Sequence, residues 1–178
     1  MFARKSRTDS TPRDDDPFEM APASSAQRPG LSLKARAVAL LSRREHSRIE
    51  LARKLAPHAE SQEALNQVLD ELALTGWQSD ERFAQGWVHR KAPTQGTSRV
   101  VRELKLQGIE PDALAAVRAE LNSTEFDRAY AVWRRKFKPS HEKLSAKEYA
   151  RQARFLASRG FSTDIIRRVL SYSEDDQS

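Results

Sequence analysis

The chain has 178 residues, no cysteine, 31 basic against 25 acidic residues and a formal net charge of +6. Disulfides, thiolate metal sites and cysteine nucleophiles are therefore excluded, and a reducing cytoplasmic setting is expected. No apolar run reaches the roughly 18 residues of a membrane span, and no apolar segment follows the first basic residues, so neither a membrane protein nor a secreted one is expected.

Residues 1–30 are rich in Ser, Thr, Pro and Asp without hydrophobic period and read as a disordered extension. The first unit is read over residues 31–77. Ser32 fits an N-cap, with Leu33, Ala37, Leu40 and Leu41 following at helical spacing. Ser47-Arg48-Ile49-Glu50 fits a capping box, in which serine and glutamate satisfy each other's free backbone donors, and opens a helix with Leu51 and Leu55 on one face. Pro57 lies just past its end. Ser61 fits as the cap of a third helix with Leu65, Val68, Leu69 and Leu72 inward, closed by Gly76 in a left-handed conformation. Trp77 is expected to pack at the joint to the next unit.

The second unit is read over residues 78–122. It starts near Ser79-Asp80, where Asp80 and Glu81 suit a helix start, and Phe83, Trp87 and Val88 form its first apolar stripe. Pro93 and Gly96 mark a break. Val100, Val101, Leu104 and Leu106 belong to the next helix, closed by Gly108, and Pro111 opens a helix with Leu114, Val117 and Leu121.

The third unit is read over residues 123–172, ahead of an acidic tail at 173–178. Phe126, Tyr130, Trp133 and Phe137 form an aromatic stripe at helical spacing, expected in the core, and Pro139 stops it. Ser145-Ala146-Lys147-Glu148 is a second capping-box match, with Tyr149, Ala153 and Leu156 expected inward and Gly160 closing the helix. Ser162 or Thr163 caps a last helix with Ile165, Ile166, Val169 and Leu170 apolar.

The three units share a pattern. Ala52-Arg53-Lys54-Leu55, Val101-Arg102-Glu103-Leu104 and Ala153-Arg154-Phe155-Leu156 recur, followed at fixed distance by Leu65, Leu114 and Ile166, and then by Val68, Val117 and Val169. The period is roughly 50 residues, in the range of helical repeats, and units of that size lean on their neighbours. The fold class expected is all-α, an elongated tandem array of three three-helix repeats.

Charge is uneven along this array. Residues 123–170 hold 12 basic and 5 acidic residues, whereas 31–77 and 78–122 each hold 7 and 6. Arg134, Arg135, Lys136 and Lys138 form a dense cluster, and Arg151, Arg159, Arg167 and Arg168 lie in the same unit. A basic surface of this kind attracts polyanions, so these residues are candidates for contact with one. Arg53, Arg102 and Arg154 occupy equivalent repeat positions and fit either a regular row of cations meeting a polymer or stems packed at joints with wet heads. The four histidines are scattered without ligand spacing, no nucleophile has a local base, and no glycine loop could cradle a phosphate. No enzymatic activity, metal or cofactor is expected.

Four motifs, in order, carry a family resemblance. Leu41-Ser42-Arg43-Arg44-Glu45-His46-Ser47 with Glu50-Leu51 and Lys54-Leu55 resembles the opening signature of the RecX family of recombinase regulators. Gly76-Trp77-Gln78-Ser79-Asp80-Glu81-Arg82-Phe83-Ala84 resembles its glycine-aromatic segment, with Gln78-Ser79 standing where a more apolar and acidic pair is common. Gly96, Arg99, Glu103-Leu104 and Gly108-Ile109 match its central motif, and Phe155-Leu156-Ala157-Ser158-Arg159-Gly160-Phe161 its C-terminal one. The resemblance covers about residues 35–172. It implies three-helix repeats and a non-enzymatic regulator, expected to be a monomer, that binds the RecA filament on DNA and restrains its growth, strand exchange and co-protease activity. Direct contact with single- or double-stranded DNA is a further expectation for the basic unit.

Overall fold

The computed structural model describes residues 30–137 and 144–175, with side chains as far as Tyr172. The expectations placed on residues 1–29, on Lys138 and Pro139, and on the tail beyond 175 lie outside the described residues. Among these there are nine α-helices and no strand: α1 (Leu33–Leu41), α2 (Arg48–Leu55), α3 (Gln62–Leu74), α4 (Asp80–Lys91), α5 (Thr97–Leu106), α6 (Pro111–Ser123), α7 (Glu125–Arg134), α8 (Ala146–Ala157) and α9 (Thr163–Asp175). Pro57 sits in a single 3-10 turn, Ala56–His58, that extends α2.

Serine starts most of these helices. Ser32, Ser47, Ser61, Ser79 and Ser145 each accept from the amide three residues on, satisfying one of the free donors of a first turn. The capping box at Ser145 is complete, with Glu148 reaching back to the serine. The box expected at Ser47 is only half formed. Glu50 turns away from the backbone and receives both terminal nitrogens of Arg44, a charge-assisted fork that outcompetes a neutral amide.

Each group of three helices closes on its own core. Leu51, Leu55, Leu65, Leu69 and Leu72 fill the first, Phe83, Val100, Leu104 and Leu121 are central to the second, and Trp133, Leu156, Ile166 and Val169 to the third. The aromatic stripe of α7 is graded: Trp133 and Phe137 are buried, while Phe126 and Tyr130 are half-buried and stack on each other at 6.3 Å. Buried Trp133 donates from its indole nitrogen to Gln152 at 2.6 Å, so the core keeps no unpaired polar group there. One expectation is corrected. Tyr149 is 39 % exposed where the spacing placed it inward, because α8 turns that face to solvent. Trp77 lies between α3 and α4 and is 50 % exposed, and Leu106, which belongs to α5 as expected, is 73 % exposed.

The joints between units repeat as faithfully as the units. The end of α5 abuts the start of α2: the Ser47 hydroxyl donates to Gln107 at 3.2 Å, and a Cβ on Gly108 would fall 2.4 Å from the Ile49 methyl. The end of α8 abuts the start of α5 in the same way: the Gly96 amide donates to the Arg159 carbonyl at 2.8 Å, and a Cβ on Gly160 would fall 2.4 Å from that of Arg99. Each joint sets a helix C-terminus against a helix N-terminus, the favourable sense for their dipoles. The next unit's first helix completes it. Asp80, opening α4, accepts from the Arg48 amide at 2.9 Å, and Glu125, opening α7, accepts from the Thr97 amide at 3.0 Å. Arg48 and Thr97 are the first residues of α2 and α5, whose amides have no partner within their own helices. The middle helices α8, α5 and α2 therefore run head to tail.

Candidate interaction surface

Each repeat-position arginine lies exposed on the middle helix of its unit: Arg53 on α2, Arg102 on α5 and Arg154 on α8. Arg102 also lines a shallow depression with Ala157 and Ser158, where α8 ends against α5. The dense sequence cluster is dispersed by the end of α7. Arg134 is exposed and free of the joints, and Arg135 borders an open groove of about 570 Å³ between α4, α6 and α7, floored by Val88, Val117 and Leu121. Lys136 turns the other way, 5.0 Å from the centre of the Phe155 ring.

Phe155 gathers charge from several elements. The Arg159 guanidinium lies 3.7 Å from its ring centre, close enough to stack. Phe137 meets Phe155 edge to face at 5.2 Å, and Arg151 stands 5.5 Å from the Phe137 ring. On the far side of the same unit, Arg168 covers Phe126 at 4.8 Å and shares a depression with Arg167 and Tyr172. The structure thus brings Lys136, Arg151 and Arg159 to one ring pair, places Arg167 and Arg168 in a second group, and gives Arg53, Arg102, Arg134, Arg135 and Arg154 no such ring contact among the described residues.

Ion pairs are denser in the first two units, although Arg53, Arg90, Arg102 and Arg118 among others there also have no carboxylate partner among the described residues. In the first two, Arg44 pairs with Glu50, Arg48 with Asp70, Arg82 with Glu45 and Arg99 with Glu103. In the third, Arg167 meets Asp164 at 3.4 Å, while Arg134, Arg135, Lys136, Arg151, Arg154, Arg159 and Arg168 have no carboxylate partner among the described residues. Arg128 is the exception to this free charge. It is half-buried and donates to the carbonyls of Ala92, Gln95 and Leu121 and to Thr97, locking α7 to the second unit. Burial pushes its guanidinium pKa down, opposed by neighbouring Glu125. Sequence reasoning missed Arg128, Asp80 and Glu125 as joint residues, because their partners lie about 30 residues earlier and no local pattern marks them.

At the first joint, Gln78 is buried and donates to Asp80 at 2.7 Å, so the position that departs from the family's usual pair orients the joint carboxylate. His46 is buried beside it, its Nδ1 3.1 Å from Glu50 without a hydrogen bond. Burial pushes the His46 pKa below its ordinary 6.5 despite Glu50, and the Arg44 hydrogen bond holds the Glu50 carboxyl below 4.5. Among the described residues no cluster of three or more His, Asp or Glu could hold a metal, and no helix is long and apolar enough to cross a membrane.

Three small cores joined through equivalent head-to-tail contacts, with mostly unpaired cations on the last, define a class: a helical tandem-repeat protein that presents a charged surface. Comparison with known proteins narrows it. Residues 34–72 match the model of the RecX first three-helix domain, and residues 123–170 that of the third. The regulatory protein RecX of Ralstonia nicotianae is 49% identical over 140 residues, 79% of this chain and 87% of that protein. The one from Leptothrix cholodnii is 44% identical over 151 residues, covering 85% and 95%. The crystal structure of RecX from Lactobacillus salivarius superposes with a TM-score of 0.69 at 16% identity, over 80% of this chain and 94% of that one, and shares the fold. The chain belongs to the RecX family of regulatory proteins.

Proposed function

We propose that this protein is a cytoplasmic regulator of the RecA recombinase that acts by binding the RecA filament and carries out no chemistry of its own. In this reading it mainly inhibits filament growth, ATP hydrolysis, strand exchange and co-protease activity. The observation that carries it is identity of 44% or more to proteins named as RecX regulators across most of the chain. The architecture supports it physically. Three equivalent units with repeated joints suit a partner that is itself repetitive, and several linked weak contacts reach an avidity that none has alone. RecA's ATP hydrolysis on single-stranded DNA tests the reading when the protein is titrated in. Inhibition well below one protein per RecA is expected, because each bound molecule blocks growth past many subunits. Unchanged hydrolysis at saturating protein sinks it.

The unpaired cations of the third unit favour a second reading, a helical nucleic-acid-binding protein without RecA specificity. It predicts binding to bare DNA with steep salt dependence and no effect on RecA beyond competition for the strand.

A further inference from the structure

We propose that the Phe137–Phe155 pair with Lys136, Arg151 and Arg159 is a binding site for the phosphodiester backbone of a nucleic-acid strand. This deepens the reading above and rests on it, since the filament's own DNA supplies such a strand. The geometry selects these residues from the many cations of the third unit. Lys136 follows α7, Arg151 lies on α8 and Arg159 follows α8, yet all three stand within 5.5 Å of one or other ring centre of an edge-to-face pair. None has a carboxylate partner among the described residues. Like charges gathered this way repel one another, and an approaching polyanion relieves that repulsion.

The chemistry of the platform favours a strand over an acidic protein surface. A protein partner gains most from a buried apolar anchor at the centre of its contact. Here Phe137 is buried, and the half-buried Phe155 is already covered by Arg159 and Lys136, so charge is offered outward more than apolar area. A guanidinium held over a ring face can keep its N–H edge turned outward, parallel to the ring, where it meets phosphate oxygens in pairs. Arg159 commits one nitrogen to the Phe155 carbonyl at 3.3 Å, which fixes the group and leaves its other donors for a ligand.

The test measures binding of a fluorescein-labelled oligothymidylate by anisotropy, from about 50 to 200 mM salt. Each single-strand phosphate contact contributes about 0.7 to the slope of log affinity against log salt. The variant K136Q/R151Q/R159Q is expected to have a slope shallower by about 2 than the native protein, and R43Q/R90Q/R118Q, which removes the same charge elsewhere, a slope near native. The charge-conserving K136R/R151K/R159K retains the native slope, which separates loss of charge from loss of fold. Equal slopes in the two neutralised variants overturn the site. So does native protein that ignores the oligonucleotide but loses filament binding in K136Q/R151Q/R159Q, which assigns the platform to an acidic protein surface. RecA's ATPase, run in parallel, keeps the two readings apart: no native effect on RecA with the slope change intact removes the RecA reading and leaves the strand site standing.

Discussion

Glu50 and Glu148 hold the same position, third in a helix capped by serine, and find different partners. Glu148 closes its box, whereas Glu50 answers Arg44 and faces buried His46. The consequence is a pH dependence with a definite sign. Glu50 and His46 both titrate below their ordinary values of 4.5 and 6.5, so over that range the unfolded chain binds more protons than the folded one. Stability from His46 is lost as pH falls from about 6.5, and stability from Glu50 as it falls from about 4.5, each down to the folded pKa. The melting temperature is expected to fall as pH is lowered from 7 to 4, and H46Q/E50Q to give a flatter profile. Parallel profiles would remove these two groups from the acid response. Gly160 carries the other sharp residue-level requirement. Its φ of +85° and the 2.4 Å approach of Arg99 leave no room for a side chain. Gly160→Ala is expected to destabilise by at least about 1–2 kcal/mol, read from the melting temperature.

At the scale of the helices, joint and core make separable contributions. Glu125→Ala strips the buried Thr97 amide of its acceptor and is expected to cost about 1–3 kcal/mol. Leu104 is fully buried at the centre of the second core, and Leu104→Ala is expected to cost about 2–5 kcal/mol in denaturant titration. An unchanged midpoint for either would contradict its placement. This scale also shows what the sequence could express. Serine caps, closing glycines and apolar periods are local signals, and Ser61, Ser79, Ser145, Gly108 and Gly160 act as their spacing predicts. The joints were not legible, because Asp80 and Glu125 look like ordinary first-turn acids until their distant partners are seen. The basic surface was legible as a density but not in its geometry. Adjacent positions in Arg134-Arg135-Lys136 splay around a helix end, so Arg135 borders one groove while Lys136 joins Arg151 and Arg159 on Phe155. Tyr149 shows the same limit in reverse, since periodicity identifies a stripe without fixing which edge of it meets solvent.

Across the folded array, the joints run in one direction and stop. The middle helices follow α8 to α5 to α2, and neither free end offers another joint. Ala59 stands at the repeat position of Gly108 and Gly160, and the capping box of Ser145 already occupies the N-terminus of α8. Terminal units that cannot accept a further repeat keep such arrays from polymerising. A monomer at all concentrations is therefore expected by light scattering, and a mass that grows with concentration would show that the joint surface is shared between copies. Under the proposed function, a monomer carrying three equivalent units is expected to engage more than one subunit of a repetitive partner. Co-sedimentation with RecA filaments assembled on single-stranded DNA, with hydrolysis blocked so that the filament cannot disassemble, tests this claim most directly. The protein is expected to pellet with the filament and to saturate below one molecule per RecA subunit. Protein that remains in the supernatant beside intact filaments would contradict the account.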